Sequence, residues 1–176
     1  MHSFFRHNNN RGFVPWYIAL IFGYNPKRTL ARLAVITLLV LVFFNYITPP
    51  VRVDGTSMEP AFRDNALHIG NSIRYKYRDP QPGDVVIIRM AGRKLTHLKR
   101  ILAVPGNSIE FRDGTLLVNG RIRNESYLVH TGNWNMQEMI LSEDEYFVAG
   151  DNRDMPMEMH TMGAVDKSRI IGGILF

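Results

Sequence analysis

The clearest pattern in the chain is one long apolar segment near the N-terminus, followed by many short ones. Leu30–Thr48 contains 19 consecutive residues, of which only Arg32 is charged. As a helix this segment would span roughly 28 Å, close to the hydrocarbon thickness of a bilayer. Pro49 and Pro50 follow it directly and end any helix. The pattern predicts a transmembrane helix over residues 30–48.

Two other interpretations of the N-terminal region bear on this prediction. A cleaved signal peptide is the main alternative, but no small-x-small site precedes the two prolines and the leader is long. A second apolar segment, Phe13–Tyr24, has only 12 residues and contains Pro15, so it is predicted to lie at the membrane interface. We therefore expect an uncleaved anchor at residues 30–48 and a basic leader over residues 1–29.

Beyond the prolines, short runs rich in Val, Ile, Leu and Phe alternate with turn signals, which is typical of β-strands. The predicted strands are Ala66–Ile69, Asp84–Met90, Thr96–Val104, Ser108–Phe111, Thr115–Val118 and Tyr146–Ala149. Asp113-Gly114 and Asn119-Gly120 are signals for two-residue hairpin turns. No long helical period occurs here. The pattern predicts an all-β domain over residues 51–176.

The charge distribution indicates which classes of partner the chain can bind. The 176-residue chain has 21 Lys and Arg against 16 Asp and Glu. Five of the basic residues lie in residues 1–32, which hold no acid, so the remainder of the chain is neutral. A neutral domain argues against nucleic-acid binding, which needs a basic surface on the folded part. The basic leader instead predicts contact with a lipid bilayer, with the leader cytoplasmic and residues 51–176 outside.

Ser57 and Lys99 are the first candidates for catalytic residues. Ser57 lies in Val53-Asp-Gly-Thr-Ser-Met-Glu-Pro60, and Lys99 lies in an otherwise apolar predicted strand. Burial lowers the pKa of a lysine, and a neutral amine is a base that can activate a serine. A surface lysine and an ordinary loop serine are the alternative. The absence of cysteine excludes a thiolate nucleophile and a disulfide framework.

Two rival sites use other residues. His97 is two positions before Lys99, so a Ser57–His97–Asp151 triad is conceivable. A soft-ligand cluster that could hold Cu(I) is the second rival, and it consists of Met155, Met157, Met159, Met162 and His160. Because methionines in loops more often fill gaps, we expect no metal site.

Four motifs, in order along the chain, resemble those of the bacterial type I signal peptidases. They are Gly55-Thr-Ser-Met-Glu-Pro60, Gln81-Pro-Gly-Asp-Val-Val-Ile87, Lys99-Arg-Ile-Leu-Ala-Val-Pro-Gly106 and Phe147-Val-Ala-Gly-Asp-Asn-Arg153. The apolar segment stands where that family has its membrane anchor. The resemblance implies coiled antiparallel sheets in a partial barrel, and no cofactor or metal.

The resemblance also implies roles for individual residues. Ser57 would be the nucleophile and Lys99 the general base, while Met58, His97 and Leu98 would line the substrate cleft. The residues that would support the active site are Gly55, Asp151, Arg153 and Glu158.

The last motif departs from the family pattern at three positions. Pro156 stands where the family has a serine that supports the catalytic lysine. Glu158 and His160 stand in place of an Asp and Arg that pair, and they are expected to form a weaker, pH-dependent pair.

The function implied by the resemblance is a membrane-anchored serine endopeptidase that removes signal peptides from exported preproteins after small-x-small sites. It would be a single-pass protein of the bacterial cytoplasmic membrane with its catalytic domain on the outer side. Two alternatives remain open. One is a maturation peptidase dedicated to one secretion or conjugation system, and the other is a catalytically impaired assembly factor that binds substrates.

Overall fold

The computed structural model describes residues 25–89, 96–160 and 163–175, in two compact units, residues 1–42 and 43–176. The predicted interfacial segment Phe13–Tyr24 lies outside the described residues, as does Met162.

The described part of the N-terminal unit is one apolar helix. Helix α1 (Pro26–Val42) continues as a π-helical segment, Phe43–Ile47. Its start at Pro26, earlier than the predicted Leu30, follows from local signals: the Asn25 side chain accepts a hydrogen bond from the Lys27 N–H at 3.1 Å, and proline favours the first helical position. The helical stretch Lys27–Ile47 contains an 18-residue window with a mean hydropathy of 2.2, so it is long and apolar enough to cross a membrane.

The second unit is built from two antiparallel sheets. One has seven strands in the order β1-β2-β11-β3-β4-β9-β10, and the other has four in the order β7-β6-β5-β8. The strands are β1 (Pro50–Arg52), β2 (Leu67–Asn71), β3 (Val85–Arg89), β4 (Thr96–Ala103), β5 (Ser108–Arg112), β6 (Thr115–Val118), β7 (Arg121–Ile122), β8 (Met136–Ile140), β9 (Glu145–Ala149), β10 (Gly163–Asp166) and β11 (Ile170–Ile174). Helical turns are short: α2 (Arg74–Tyr77) and the 3-10 turns Met157–Met159 and Lys167–Arg169.

The predicted all-β class is confirmed, and both hairpin signals form turns. Asp113 and Gly114 have φ angles of 47° and 77°, and Asn119 and Gly120 have 52° and 68°. Two successive positive φ angles are the requirement of a type I′ turn, which Asn-Gly and Asp-Gly satisfy. These turns join β5 to β6 and β6 to β7.

Strand β4 carries Lys99 and lies inside the larger sheet, between β3 and β9. Apolar residues of β3, β4 and β9 pack together, among them Val86, Ile101 and Val148. A second cluster joins the two sheets through Leu102, Phe111 and other buried residues. Lys99 is therefore buried because β4 lies between two other strands of the sheet, and not because of the residues next to it in the sequence.

Candidate active site

The loop that carries Ser57 follows β1 and is fixed at several points. Gly55 has a φ of +91°, a conformation that favours glycine, and its N–H donates to Asp64 Oδ1 at 2.8 Å. Met58 is buried in a cluster with Val53 and Leu98. The loop is thus anchored on both sides of Ser57, whose side chain stays partly accessible.

Lys99 and Ser57 are in direct contact. The Lys99 Nζ lies 2.6 Å from Ser57 Oγ, and Lys99 is only 2% exposed. Burial lowers the pKa of Lys99 to about 8, although the negative charge of Asp151 raises it in part. A neutral amine at this distance can accept the proton of the serine hydroxyl.

The turn that follows β9 holds the Ser57 loop from a second side. The Asn152 N–H donates to the Ser57 carbonyl at 3.0 Å, and its side-chain amide donates to the Thr56 carbonyl at 3.2 Å. Gly150 has no room for a side chain, because a Cβ there would lie 2.1 Å from the Ser57 carbonyl oxygen. Glycine is therefore required at this close approach of two backbones.

Asp151 is bound by Arg100 rather than by a histidine. The Arg100 guanidinium donates to both carboxylate oxygens, at 2.8 and 2.6 Å, and the Asp151 side chain is fully buried. These contacts join Ser57 to Lys99 and Asp151 to Arg100, and neither contact involves His97, as the Ser57–His97–Asp151 triad would require.

Arg153 supports the same turn from the interior. It is 2% exposed, donates to the Gly150 carbonyl at 3.0 Å and pairs with Glu125 at 2.5 and 3.1 Å. Its guanidinium also lies over the rings of Phe111 and Trp134, 5.2 and 4.9 Å from their centroids. Stacking plus a bidentate carboxylate partner suits arginine in a buried site.

The other predicted site residues lie in different settings. Met58 and Leu98 belong to one apolar cluster near Ser57, and His97 is partly buried on β4. Glu158 is exposed on the turn Met157–Met159.

The expected pair of Glu158 and His160 is not found among the ion pairs of the described residues, because Glu158 is exposed whereas His160 is buried. His160 is buried and its Nε2 contacts the Asn152 carbonyl at 2.7 Å. The two residues lie two positions apart in the sequence, but the turn Met157–Met159 directs the Glu158 side chain into solvent and the His160 side chain into the core.

The methionines of the proposed soft-ligand cluster diverge. Met157 packs against the core that joins the two sheets, whereas Met159 is 71% exposed. Among the described residues, no group of three or more His, Cys, Asp or Glu side chains could hold a metal ion.

A serine held against a buried amine on an antiparallel β scaffold is an arrangement found in serine peptidases. The sequence model of the family described as "Signal peptidase, peptidase S26" matches residues 27–176, and the chain belongs to this family. The family consists of serine peptidases that remove signal peptides.

Three relatives illustrate the similarity. Signal peptidase IB of Staphylococcus aureus strain Mu50 is 27% identical over 162 residues, which cover 82% of this chain and 84% of that protein. Signal peptidase I P of Bacillus subtilis subsp. natto is 31% identical over 153 residues, covering 79% and 82%. The crystal structure of a signal peptidase I from Enterococcus faecalis V583 is 27% identical and covers 55% of this chain and 97% of its own, with a TM-score of 0.45.

Proposed function

We propose that this chain is a membrane-anchored endopeptidase that cleaves signal peptides from exported preproteins after small-x-small sites, with Ser57 as nucleophile and Lys99 as general base. The observation that carries the proposal is the 2.6 Å contact between Lys99 Nζ and Ser57 Oγ, made by a lysine that is 2% exposed. Burial disfavours the charged form of the amine and lowers the pKa of Lys99, so the amine can accept the serine proton.

The reaction follows from the positions of these two groups. Ser57 Oγ attacks the scissile carbonyl while Lys99 Nζ takes its proton, and the backbone N–H of Ser57 stabilises the negative charge on the carbonyl oxygen. Lys99 then passes the proton to the departing amine, which leaves an ester on Ser57. In the second half, Lys99 takes a proton from water while the water oxygen attacks the ester carbonyl. Lys99 then returns the proton to Ser57 Oγ as the C–O bond to Ser57 breaks and the new carboxyl terminus leaves.

The sheet offers a place for an extended substrate. One edge of Thr96–Lys99 pairs with β3, but β9 pairs only with β4 residues from Arg100 onward. The pairing of β4 with β9 therefore begins at Arg100, directly after Lys99. An extended substrate can bind along β4 next to Lys99 by main-chain hydrogen bonds, close to the buried apolar cluster that contains Met58 and Leu98.

The pH dependence of cleavage is expected to report Lys99. Lys99 must be neutral to act as base, so kcat/KM should rise about tenfold per pH unit below pH 8 and level off above it. Measurement of kcat/KM from pH 6 to 10, on a preprotein with an Ala-x-Ala site, checks this. A midpoint near 6.5 would instead indicate a histidine base and contradict the assignment.

The membrane anchor and its orientation are part of the same proposal. The apolar stretch Lys27–Ile47 would cross the bacterial cytoplasmic membrane once. Lys27, Arg28 and Arg32 lie at its N-terminal end and favour a cytoplasmic leader, which puts the β unit outside.

Protease accessibility checks this orientation. In intact spheroplasts, protease added outside is expected to degrade residues 51–176. A tag fused to the N-terminus should stay protected until detergent dissolves the membrane. Protection of the β unit in sealed cells would contradict the proposed topology.

Neither of the two alternatives, a dedicated maturation peptidase or an impaired assembly factor, is supported by the comparisons.

A further inference from the structure

His160 has one fixed orientation in the core beside the active site. It is 7% exposed, and its ring packs edge-on against Trp134 with 4.7 Å between centroids. Its Nε2 lies 2.7 Å from the Asn152 carbonyl oxygen. A carbonyl can only accept, so Nε2 carries the proton and Nδ1 is left as an acceptor, with no hydrogen-bond partner among the described residues.

The contacts of His160 lead directly to Ser57. Asn152 is held at both ends of its backbone: its carbonyl accepts from His160, and its N–H donates to the Ser57 carbonyl at 3.0 Å. The ring also touches Gly150, because a Cβ there would lie 2.6 Å from His160 Cε1 and 2.1 Å from the Ser57 carbonyl oxygen. His160 thus packs on the turn that fixes the nucleophile.

The surroundings keep the ring neutral. Burial lowers the pKa of His160 to about 4 against the opposing effect of the Asn152 carbonyl. The charged groups that act on it are Lys99 on β4 and Arg153 on the turn, and both lower its pKa further. At the pH values where Lys99 titrates, His160 therefore adds no charge to the site, and any effect that it has must come from geometry.

We propose that His160 is a positioning residue for Ser57, acting through Asn152; this inference rests on the proposed function. Its Nε2–H holds the carbonyl of Asn152, and the N–H of the same residue holds the Ser57 carbonyl, which keeps Ser57 Oγ at 2.6 Å from Lys99 Nζ. The alignment of Ser57 with Lys99 is thus maintained from the serine side.

Two neutral amide substitutions separate this role from general packing. In His160→Gln the side-chain amide nitrogen reaches the position of Nε2 and keeps the donor, whereas His160→Asn is one methylene shorter and loses it. We expect kcat of His160→Gln to stay within about threefold of the wild type, and kcat of His160→Asn to fall about 10- to 100-fold with KM within about twofold. The midpoint of the pH profile should not move in either variant, because neither changes the charge.

The melting temperatures of both variants are measured in parallel. If His160→Asn does not fold, His160→Phe keeps the ring volume without a donor and is expected to show the same loss of kcat. Equal kcat in the Gln and donor-less variants would overturn the role of His160. Ser57→Ala is assayed in the same experiment. Full activity of that variant would overturn the proposed function itself. If Ser57→Ala is inactive but the His160 variants have equal kcat, only the inference about His160 is overturned.

Discussion

Replacement of Lys99 by Met is expected to abolish cleavage, with a loss on the order of 10⁴-fold or more in kcat/KM. Methionine keeps the length and volume of the buried side chain but cannot accept the Ser57 proton. Because nucleophile and base act as one unit, Ser57→Ala should cost a similar amount, and the double variant should be no worse than either single one. The measurement is a kcat/KM comparison of the three variants on the same preprotein.

Stability separates loss of chemistry from loss of fold in this series. Lys99→Met removes an amine that burial disfavours in its charged form, so the free energy of unfolding should stay the same or rise. Lys167→Met is the matched control, since Lys167 is exposed and its ammonium group pairs with Asp79. The activity of this variant should be unchanged. Losses in Ser57→Ala and Lys99→Met that add in the double variant would show that the two residues do not work together.

Replacement of Arg153 by Ala is expected to cause the largest loss of stability, about 3–5 kcal/mol in the free energy of unfolding. The substitution leaves Glu125, whose side chain is 7% exposed, as a buried charge without its partner. It also removes the guanidinium that packs against the rings of Phe111 and Trp134, together with the donor to the Gly150 carbonyl. Denaturant unfolding of the detergent-solubilised protein measures this loss.

Arg112→Ala provides the comparison at the surface. Arg112 pairs with Glu110, but its side chain is 66% exposed, so the free energy of unfolding should change by no more than about 0.5 kcal/mol. Similar losses in the two variants would mean that burial of the Arg153–Glu125 pair does not set its contribution.

Much of the fold follows from local sequence signals. The strand at residues 115–118 has the predicted bounds, and the turns at Asp113-Gly114 and Asn119-Gly120 form because Asp, Asn and Gly accept positive φ angles. Strands β8 and β11 escaped prediction for different reasons. Met136–Ile140 is mostly polar or exposed, and Ile170–Ile174 contains two glycines, so only pairing with neighbouring strands defines them.

The candidate site was predicted in part. The motifs point to Ser57 and Lys99, but the sequence cannot supply their distance or the burial of Lys99, which depend on strand order. No sequence pattern identified Glu125 as a site residue, because its partner Arg153 is 28 positions away along the chain. Asn152 and His160 stand in or beside the last motif, yet their contacts arise only when the turn folds onto the Ser57 loop.

Cleavage of a signal peptide by Ser57 is the central function proposed for this chain. Its most direct test is mass spectrometry of a preprotein with one Ala-x-Ala site, incubated in detergent with the wild-type chain or with Ser57→Ala. The account predicts a single new N-terminus immediately after the second alanine with the wild type, and intact preprotein with Ser57→Ala. Cleavage at that bond by Ser57→Ala, or no cleavage there by a folded wild-type protein, would contradict it.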